Sequence, residues 1–321
     1  MANLEEAVVS TLFNQSDDIA DEILGHNPFS AALKERGKIK RASGGYEFRR
    51  PVMYYSTAVG GAYQDFDSFD LSSVNDADAF QFTVRQFYEP VAISGRQRRA
   101  SRDEEALLDY VDMKIDAAIA RLKNTIDVSI TGDGTDYSGI GFEGVRLAVS
   151  SSPSSSTYGK IDRSSSANTW ARNDTYSVSG GFTAANVQSE LTAAMIEVQR
   201  GSDGVDFGFA GSTVWKLLHD SMTAIQRITK SGDKGMAGFR SLEFNGIDYV
   251  CDTGYNTATI GASVVRHLNT KYWDLTLVRD ADFKPIEKEL ARPVDQDAYF
   301  TVILVEGALC CSAPVLQQYV A

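Results

Sequence analysis

The sequence contains few of the residues that build disulfide-rich or metal-centred proteins. Its 321 residues include three cysteines, three histidines and seven prolines. Cys251, Cys310 and Cys311 form no CxxC pair and have no histidine beside them, so we expect three reduced, buried thiols. A chain of this length buries roughly three quarters of its extended surface on folding, which is enough for a stable core without disulfides or metals.

Long apolar runs and a positive net charge are absent as well. Residues 299–311 form the longest apolar stretch, but Thr301, Glu306 and Gly307 interrupt it, and it is shorter than the ~20 residues that a membrane helix requires. The first residues lack the basic and apolar parts of a signal peptide, so we expect folding in the cytoplasm and no membrane partner. The net charge of −12 argues against tight, nonspecific binding of nucleic acid by the whole surface.

A capping box and a regular apolar stripe predict one long helix. Ser101 and Glu104 suit the N-cap and N3 positions, where their side chains satisfy free backbone N–H groups. Apolar residues then recur three or four positions apart, which predicts a helix over about 102–128, roughly 35 to 40 Å long. We call it the spine helix, and its stripe consists of Leu108, Val111, Ile115, Ile119, Leu122 and Ile126.

The remaining pattern favours an α+β fold. Helices are expected at about 184–200 and 213–229, and Asn245-Gly246 is a hairpin turn between two short strands. Further strands are expected at 272–279 and 298–310. Because strands and helices do not alternate as βαβ units, a parallel α/β sheet is disfavoured.

Residues 43–71 have the pattern of a long β-hairpin that is rich in aromatic residues. Aromatic and apolar side chains share one parity before Gly60-Gly61, and more aromatics follow this turn. An isolated two-stranded hairpin is marginally stable in water, so these side chains need a covering surface, which we expect on another subunit. Together with an arginine cluster at 96–102, the hairpin supplies the predicted intersubunit contacts: Tyr46, Phe48, Tyr54, Tyr55, Tyr63, Phe66, Phe69, Arg96, Arg98 and Arg99.

Charged residues occur in blocks of one sign. Residues 1–25 carry six acidic and no basic side chains, residues 34–50 are mainly basic, and residues 65–78 are acidic again. Such blocks are either solvated faces or surfaces of opposite sign that meet on neighbouring copies, and both interpretations stay open. The arginine cluster lacks interleaved aromatics, so contact with an acidic neighbour or simple solvation is favoured over nucleic-acid binding.

No group of residues has the spacing of a catalytic, cofactor or metal site. Residues 139–144 match GxGxxG, but a helix precedes them and the strand-like residues 145–149 follow, so a glycine-rich turn is favoured over a nucleotide site. His26, His219 and His267 are far apart and form no HxxxH or HxH pair. A soluble enzyme whose site converges around His219 and His267 is the alternative from another functional class.

Three stretches resemble motifs of a known family. They are Thr-Gly-Asp-Gly-Thr at 131–135, Ser-Thr-Tyr-Gly-Lys-Ile-Asp-Arg at 156–163 with Trp-Ala-Arg-Asn after it, and Leu-Asn-Thr-Lys-Tyr at 268–272. From about residue 40 onward the sequence resembles the major capsid proteins of tailed bacteriophages, which have the Hong Kong 97-type fold. Lys160 and Ala171 depart from the family pattern, which has a glycine and a tryptophan at these places.

The resemblance implies an α+β capsid fold with four parts. An N-terminal arm is expected at 1–40, an extended β-hairpin loop at 41–78, a peripheral domain with the spine helix at 79–130 and 271–321, and an axial domain at 131–270. The implied role is structural and not enzymatic, without a cofactor. Subunits of this family assemble in the host cytoplasm as hexamers and pentamers, and these form the icosahedral shell of the virion around double-stranded DNA.

The resemblance also implies partners. The ~100 residues before the spine helix leave no room for a fused scaffold domain, so a separate scaffolding protein is expected, along with a portal, decoration proteins and weak, nonspecific contact with packaged DNA. An encapsulin-like cellular compartment shell is the alternative within the same fold. Lys160 and Lys271 are conceivable cross-linkers, although ordinary surface lysines are favoured. Deleting residues 45–68 should leave a folded subunit that does not assemble.

Overall fold

The computed structural model describes residues 23–24, 27–54, 62, 64–65, 77–96, 104–222, 241–251, 261–285 and 296–321. Its longer helices are α1 (Pro28–Glu35), α2 (Glu104–Thr131), α3 (Val187–Val198) and α4 (Ser212–Ser221). Its strands are β1 (Ile39–Ala42), β2 (Glu47–Met53), β3 (Ala77–Thr83), β4 (Arg85–Ser94), β5 (Thr157–Tyr158), β6 (Ile161–Asp162), β7 (Asp174–Tyr176), β8 (Phe207–Ala210), β9 (Ser241–Phe244), β10 (Ile247–Val250), β11 (Val265–Leu268), β12 (Trp273–Pro285), β13 (Ala298–Cys311) and β14 (Gln318–Val320). No helix among these residues is long and apolar enough to span a membrane.

The spine helix is confirmed as α2. It covers 28 residues and ends three residues later than expected, while its predicted cap, Ser101, lies outside the described residues. Ile115, Ile119, Leu122 and Ile126 are buried, as the stripe predicts. The helix packs against β4, and this contact places its apolar face in the larger of two hydrophobic clusters.

A four-stranded sheet with the order β1-β12-β13-β4 lies on the spine helix. β12 and β13 are antiparallel, from Trp273 opposite Cys311 onward, with a register shift after Leu277. β13 and β4 pair over ten rungs, and β1 joins the opposite edge in parallel with β12. Cys310 and Cys311 are buried at the end of β13, whereas Cys251 is half-buried rather than fully buried.

A six-stranded sheet with the order β7-β14-β11-β8-β10-β9 forms the second unit. The β9–β10 hairpin is confirmed: Asn245 and Gly246 have φ of 52° and 78°, the left-handed conformation that a type I′ turn requires. Helices α3 and α4 supply Val187, Leu191, Val214 and Leu218 to the smaller hydrophobic cluster. β14, close to the end of the sequence, pairs with β11 and β7 in this sheet.

Three sequence-based expectations need correction. Residues 145–149 form a helical turn, Val145–Ala148, and not a strand. The second of the two later helices ends at Ser221, well before the expected end, and residues 223–240 lie outside the described residues. The strand that pairs with β2 is β3, which begins after the predicted end of the hairpin at residue 71. The α+β class itself is confirmed, because antiparallel pairs dominate both larger sheets.

Candidate intersubunit surfaces

The two-stranded ribbon formed by β2 and β3 has one face against its own chain. Phe48 and Phe82 are opposite each other in the ladder and are both buried, and Phe80 is fully buried beside them. The Phe80 ring lies 5.8 Å from the Tyr158 ring and 5.3 Å from the Trp170 ring. At the base of the ribbon the covering surface is therefore the chain itself, and Phe48 belongs to the core.

The loop between β5 and β6 holds the ribbon base in place. The carbonyl oxygen of Gly159 accepts a hydrogen bond of 2.9 Å from the N–H of Gln81 in β3. The N–H of Gly159 donates to Glu143 over 2.7 Å, and burial raises the pKa of this carboxyl group despite that bond. Gly159 has φ of 54°, and a Cβ there would lie 2.8 Å from Phe80, so only glycine fits.

Two further residues of the Tyr-Gly-Lys-Ile-Asp-Arg stretch are buried polar anchors. The hydroxyl of Tyr158 accepts a 3.1 Å hydrogen bond from the N–H of Cys311 in β13. Arg163 has no exposed surface and donates to the carbonyls of Leu147 (2.6 Å) and Ala148 (3.0 Å). These carbonyls end the Val145–Ala148 turn, where a cation is favourable. The motif therefore connects the ribbon, the four-stranded sheet and the Val145–Ala148 turn that follows the spine helix.

Lys160 stands in this loop with φ of 62°, which glycine tolerates better than any other residue. Its exposed ammonium group pairs with Glu47 at the start of β2. Lys271, the other lysine singled out from the sequence, pairs with Asp203 over 2.6 Å. Both lysines thus have carboxylate partners within the chain.

The basic block at 34–50 is paired within the same chain. Arg36 pairs with Asp206, Arg41 with Asp282, and Arg50 with Asp274. Asp274 and Asp282 are each 5% exposed, so the last two pairs are partly removed from solvent. Long-range folding brings the aspartates to these three arginines, whose side chains stay 21–51% exposed, and the sequence did not predict these pairs.

The structure places only some of the predicted contact residues. Tyr46 is 93% exposed, and Arg96 is exposed beside the end of β4. Tyr54 is half-buried and stacks on Trp170 with 4.5 Å between ring centroids and an interplanar angle of 1°. Six predicted contacts lie outside the described residues, namely Tyr55, Tyr63, Phe66, Phe69, Arg98 and Arg99.

Sequence reasoning missed an apolar face on the four-stranded sheet. Tyr88, Pro90 and Ala92 of β4 are exposed, and the residues opposite them in β13, Leu304, Val302 and Phe300, are only partly buried. The other face of β4 carries buried Phe87, Val91 and Ile93 against the spine helix. The signal was present, since a strand with apolar residues at both parities is typical of a sheet covered on both faces.

A groove of about 640 Å³ lies between the ribbon base and the Pro314–Leu316 turn. Met53 on its rim is 86% exposed, and Val315 is 40% exposed. The indole N–H of Trp170 is buried without an acceptor among the described residues. The groove has no carboxylate, imidazole or thiol in its wall, which is formed by Pro51, Val52, Met53, Tyr54, Thr169, Trp170, Tyr272, Ser312, Ala313, Val315 and Leu316.

The two histidines that the structure describes, His267 and His219, have different partners. His267 is fully buried between the hydroxyl of Tyr249 (2.8 Å) and the amide oxygen of Gln318 (3.0 Å), and burial lowers its pKa to about 4. His219 lies partly exposed on α4 and stacks on Trp215. His26 lies outside the described residues. In the part of the chain that the structure describes, no three His, Cys, Asp or Glu side chains cluster in a way that could hold a metal ion.

The GxGxxG stretch is a glycine-rich turn at the end of the spine helix. A Cβ on Gly144 would lie 2.5 Å from the carbonyl oxygens of Gly132 and Ile130, so the third glycine permits close backbone packing. Phe142 is buried and its N–H donates to Ser129 over 2.7 Å. The four-residue Val145–Ala148 turn that follows replaces the long helix of a dinucleotide site.

No family model and no curated protein matches the sequence. Solved structures do match over nearly the whole chain. A capsid protein of cyanophage A-1(L) is 13% identical, with a TM-score of 0.66 over 91% of both chains. The capsid of a native GTA particle is 11% identical, with a TM-score of 0.57 over 90% of this chain and 89% of that one. A virus-like particle from Pyrococcus furiosus is 11% identical, with a TM-score of 0.53 over 99% of both. The chain therefore has the Hong Kong 97-type capsid fold.

Proposed function

We propose that this chain is the major capsid protein of a tailed bacteriophage. In this role it assembles in the host cytoplasm as hexamers and pentamers, which build the icosahedral shell of the virion around double-stranded DNA. The observation that carries the proposal is the fold, which matches phage capsid structures over about nine tenths of this chain and of theirs. The role is structural, in keeping with the full burial of His267 between Tyr249 and Gln318.

The ribbon supplies the contact between subunits in this proposal. Its base is anchored to its own chain through Phe48, Phe80 and Arg50, whereas residues 55–76 carry the remaining aromatics, Tyr55, Tyr63, Phe66 and Phe69. The distal aromatics, together with exposed Tyr46, lie across an adjacent subunit. Deleting residues 45–68 would remove all of β2 and unfold the base, so the informative deletion begins after Tyr54.

The test replaces residues 55–76 by Asn-Gly, so that the three-residue loop Tyr54-Asn-Gly joins Met53 to its ladder partner Ala77. Light scattering coupled to size exclusion and negative-stain microscopy should show shells or rings of five and six for the wild type. The variant should have the same circular dichroism spectrum and form no shells. Tyr137→Ser, which removes an exposed tyrosine outside the ribbon, is the control and should assemble normally. Normal shells from the shortened ribbon would refute the contact, and a wild type that stays monomeric with scaffold present would refute the capsid role.

The contents of the shell distinguish a phage capsid from an encapsulin-like compartment. The match to a virus-like particle over 99% of both chains favours keeping this second candidate. Shells purified from the native source should contain double-stranded DNA and lie in a genome beside portal, scaffold and decoration genes. Enclosed cargo protein and the absence of such neighbours would favour the compartment.

Contact with packaged DNA is weak and nonspecific in this proposal, because the net charge is −12. Opened shells should release their DNA at physiological salt. Retention of DNA by opened shells in high salt would contradict this part of the proposal.

A further inference from the structure

Helix α1 lies at the junction of the two large sheets. Six of its eight residues are buried, and Phe29 has no exposed surface. The Phe29 ring lies 5.7 Å and 5.9 Å from the rings of Phe207 and Phe209 in the six-stranded sheet. It meets Trp273, the first residue of β12 in the four-stranded sheet, edge-on at 5.2 Å. One side chain therefore packs against both sheets.

Polar contacts fix both ends of this helix. Asn27 caps α1 by accepting from the N–H groups of Phe29 (2.8 Å) and Ser30 (3.2 Å), and its amide also donates to Asp127 of the spine helix. At the other end Arg36 donates to Asp206 and Thr270.

β1 then continues the contact as an edge strand on β12, from Ile39 opposite Leu275 onward. Residues 27–42, which we call the strap, thus contact the spine helix and both sheets.

No strand of one sheet pairs with a strand of the other among the residues that the structure describes, and the shortest chain connections between the sheets are residues 269–272 and 312–317. These two crossovers are bonded to each other. The buried amide oxygen of Gln317 accepts from the N–H of Asn269 (2.7 Å) and from the indole N–H of Trp273 (3.0 Å). The N–H of Ser312 donates to the carbonyl of Tyr272 over 3.0 Å. Paired crossovers between two sheets that are joined by no other short connection have the geometry of a hinge.

We infer that the strap fixes the angle between the two sheets and that its release frees the paired crossovers to act as a hinge. The Phe29 ring fills the junction between the two sheets. A close-packed junction has discrete arrangements and does not deform continuously, so the ring fixes one of them. Arg36 keeps Phe29 in this position through two hydrogen bonds. One goes to Thr270, in the connection between the sheets, and the other to Asp206, which precedes β8. The acidic residues 1–22 end four residues before the strap in the same chain, so a basic partner that binds them acts on a segment continuous with the strap. The hinge is a property of the single subunit and does not depend on the proposed function.

Hydrogen exchange on the unassembled subunit tests this inference. The probes are the N–H groups of Asn269 and Ser312, because both bond across the crossovers and neither bonds to the strap. In Phe29→Ala and in the milder Arg36→Ala, residues 269–272 and 312–317 should exchange at least about tenfold faster, the effect of lowering a local opening free energy by about 1.4 kcal/mol. The β4–β13 ladder should be unchanged.

Phe87→Ala is the matched control. Phe87 is a buried phenylalanine of the same larger cluster, and its ring packs on Phe142, 4.8 Å away, outside the strap. This variant should accelerate exchange in β4 and leave the crossovers unchanged. The inference is overturned if the strap variants accelerate exchange only within residues 27–42, or uniformly over the whole subunit. If Phe29→Ala does not fold, Arg36→Ala and Phe29→Leu provide the same readout. Failure of shell assembly alone would leave these exchange patterns unaffected, so the two proposals fail separately.

Discussion

The ion pair between Arg50 and Asp274 attaches the ribbon to the four-stranded sheet, and its removal should weaken the fold measurably. The Nε of Arg50 lies 3.2 Å from both carboxylate oxygens of Asp274, and its Nη2 lies 2.5 Å from one of them. Thr276 connects the two side chains, because it accepts from Arg50 over 2.6 Å and donates to Asp274 over 2.8 Å. The Asp274 side chain is only 7% exposed, so loss of Arg50 leaves a nearly buried carboxylate.

The expected cost follows from what remains beside Asp274. Breaking a fully buried pair on one side costs about 3–5 kcal/mol, largely because the other charge is left uncompensated. Here Arg50 is 21% exposed, and Lys40 stays 3.5 Å from Asp274. We therefore expect Arg50→Ala to lower the free energy of unfolding by about 2–3 kcal/mol. Adding Asp274→Asn should recover part of the loss, since it removes the orphaned charge.

Urea unfolding of the unassembled subunit measures these differences. Arg121→Ala is the matched control, because Arg121 also pairs with a carboxylate, that of Glu89, but its side chain is 56% exposed. Its cost should be about 0.5 kcal/mol and should shrink in ~1 M salt, whereas the cost of Arg50→Ala should persist. The reasoning is refuted if both arginine variants cost the same, or if Asp274→Asn in the Arg50→Ala background restores nothing.

Two further predictions concern the six-stranded sheet and the end of the spine helix. Burial lowers the pKa of His267 to about 4, from an unfolded value near 6.5. The contribution of neutral His267 to the free energy of unfolding is therefore complete above pH 6.5. Between pH 6.5 and 4 it falls by up to about 1.4 kcal/mol per pH unit. His267→Gln should flatten the pH dependence of urea unfolding in that window, and a slope equal to that of the wild type would contradict the assignment. Gly144→Ala should cost at least about 3 kcal/mol in the same assay, because its Cβ would overlap backbone carbonyls that cannot move cheaply. Gly204→Ala, whose Cβ would meet only the Gln199 side chain at 3.9 Å, should stay within about 1 kcal/mol of wild type, and similar costs at both sites would contradict the packing argument.

Local chemistry was sufficient to predict the spine helix, the β9–β10 turn and the α+β class. The helical spacing of apolar residues and the Asn-Gly pair determine the backbone conformation of a few neighbouring residues. Both elements can therefore be predicted without knowing the rest of the fold. The family motifs at 131–135, 156–163 and 268–272 pointed to the capsid fold for a related reason. They contain the glycines and buried polar groups, such as Gly159 and Arg163, that this backbone requires.

The tertiary structure alone decided which distant residues meet. The basic block pairs with Asp206, Asp274 and Asp282, each more than 150 residues away, and such partners leave no local pattern. β2 pairs with β3 because that register buries Phe48 opposite Phe82, although the nearer aromatics were equally suitable by composition. Residues 145–149 have the β-branched character of a strand but form a helical turn, since Gly144 brings them against the end of the spine helix. Local propensity amounts to a few tenths of a kcal/mol per residue, roughly, and burial of a single large side chain outweighs it.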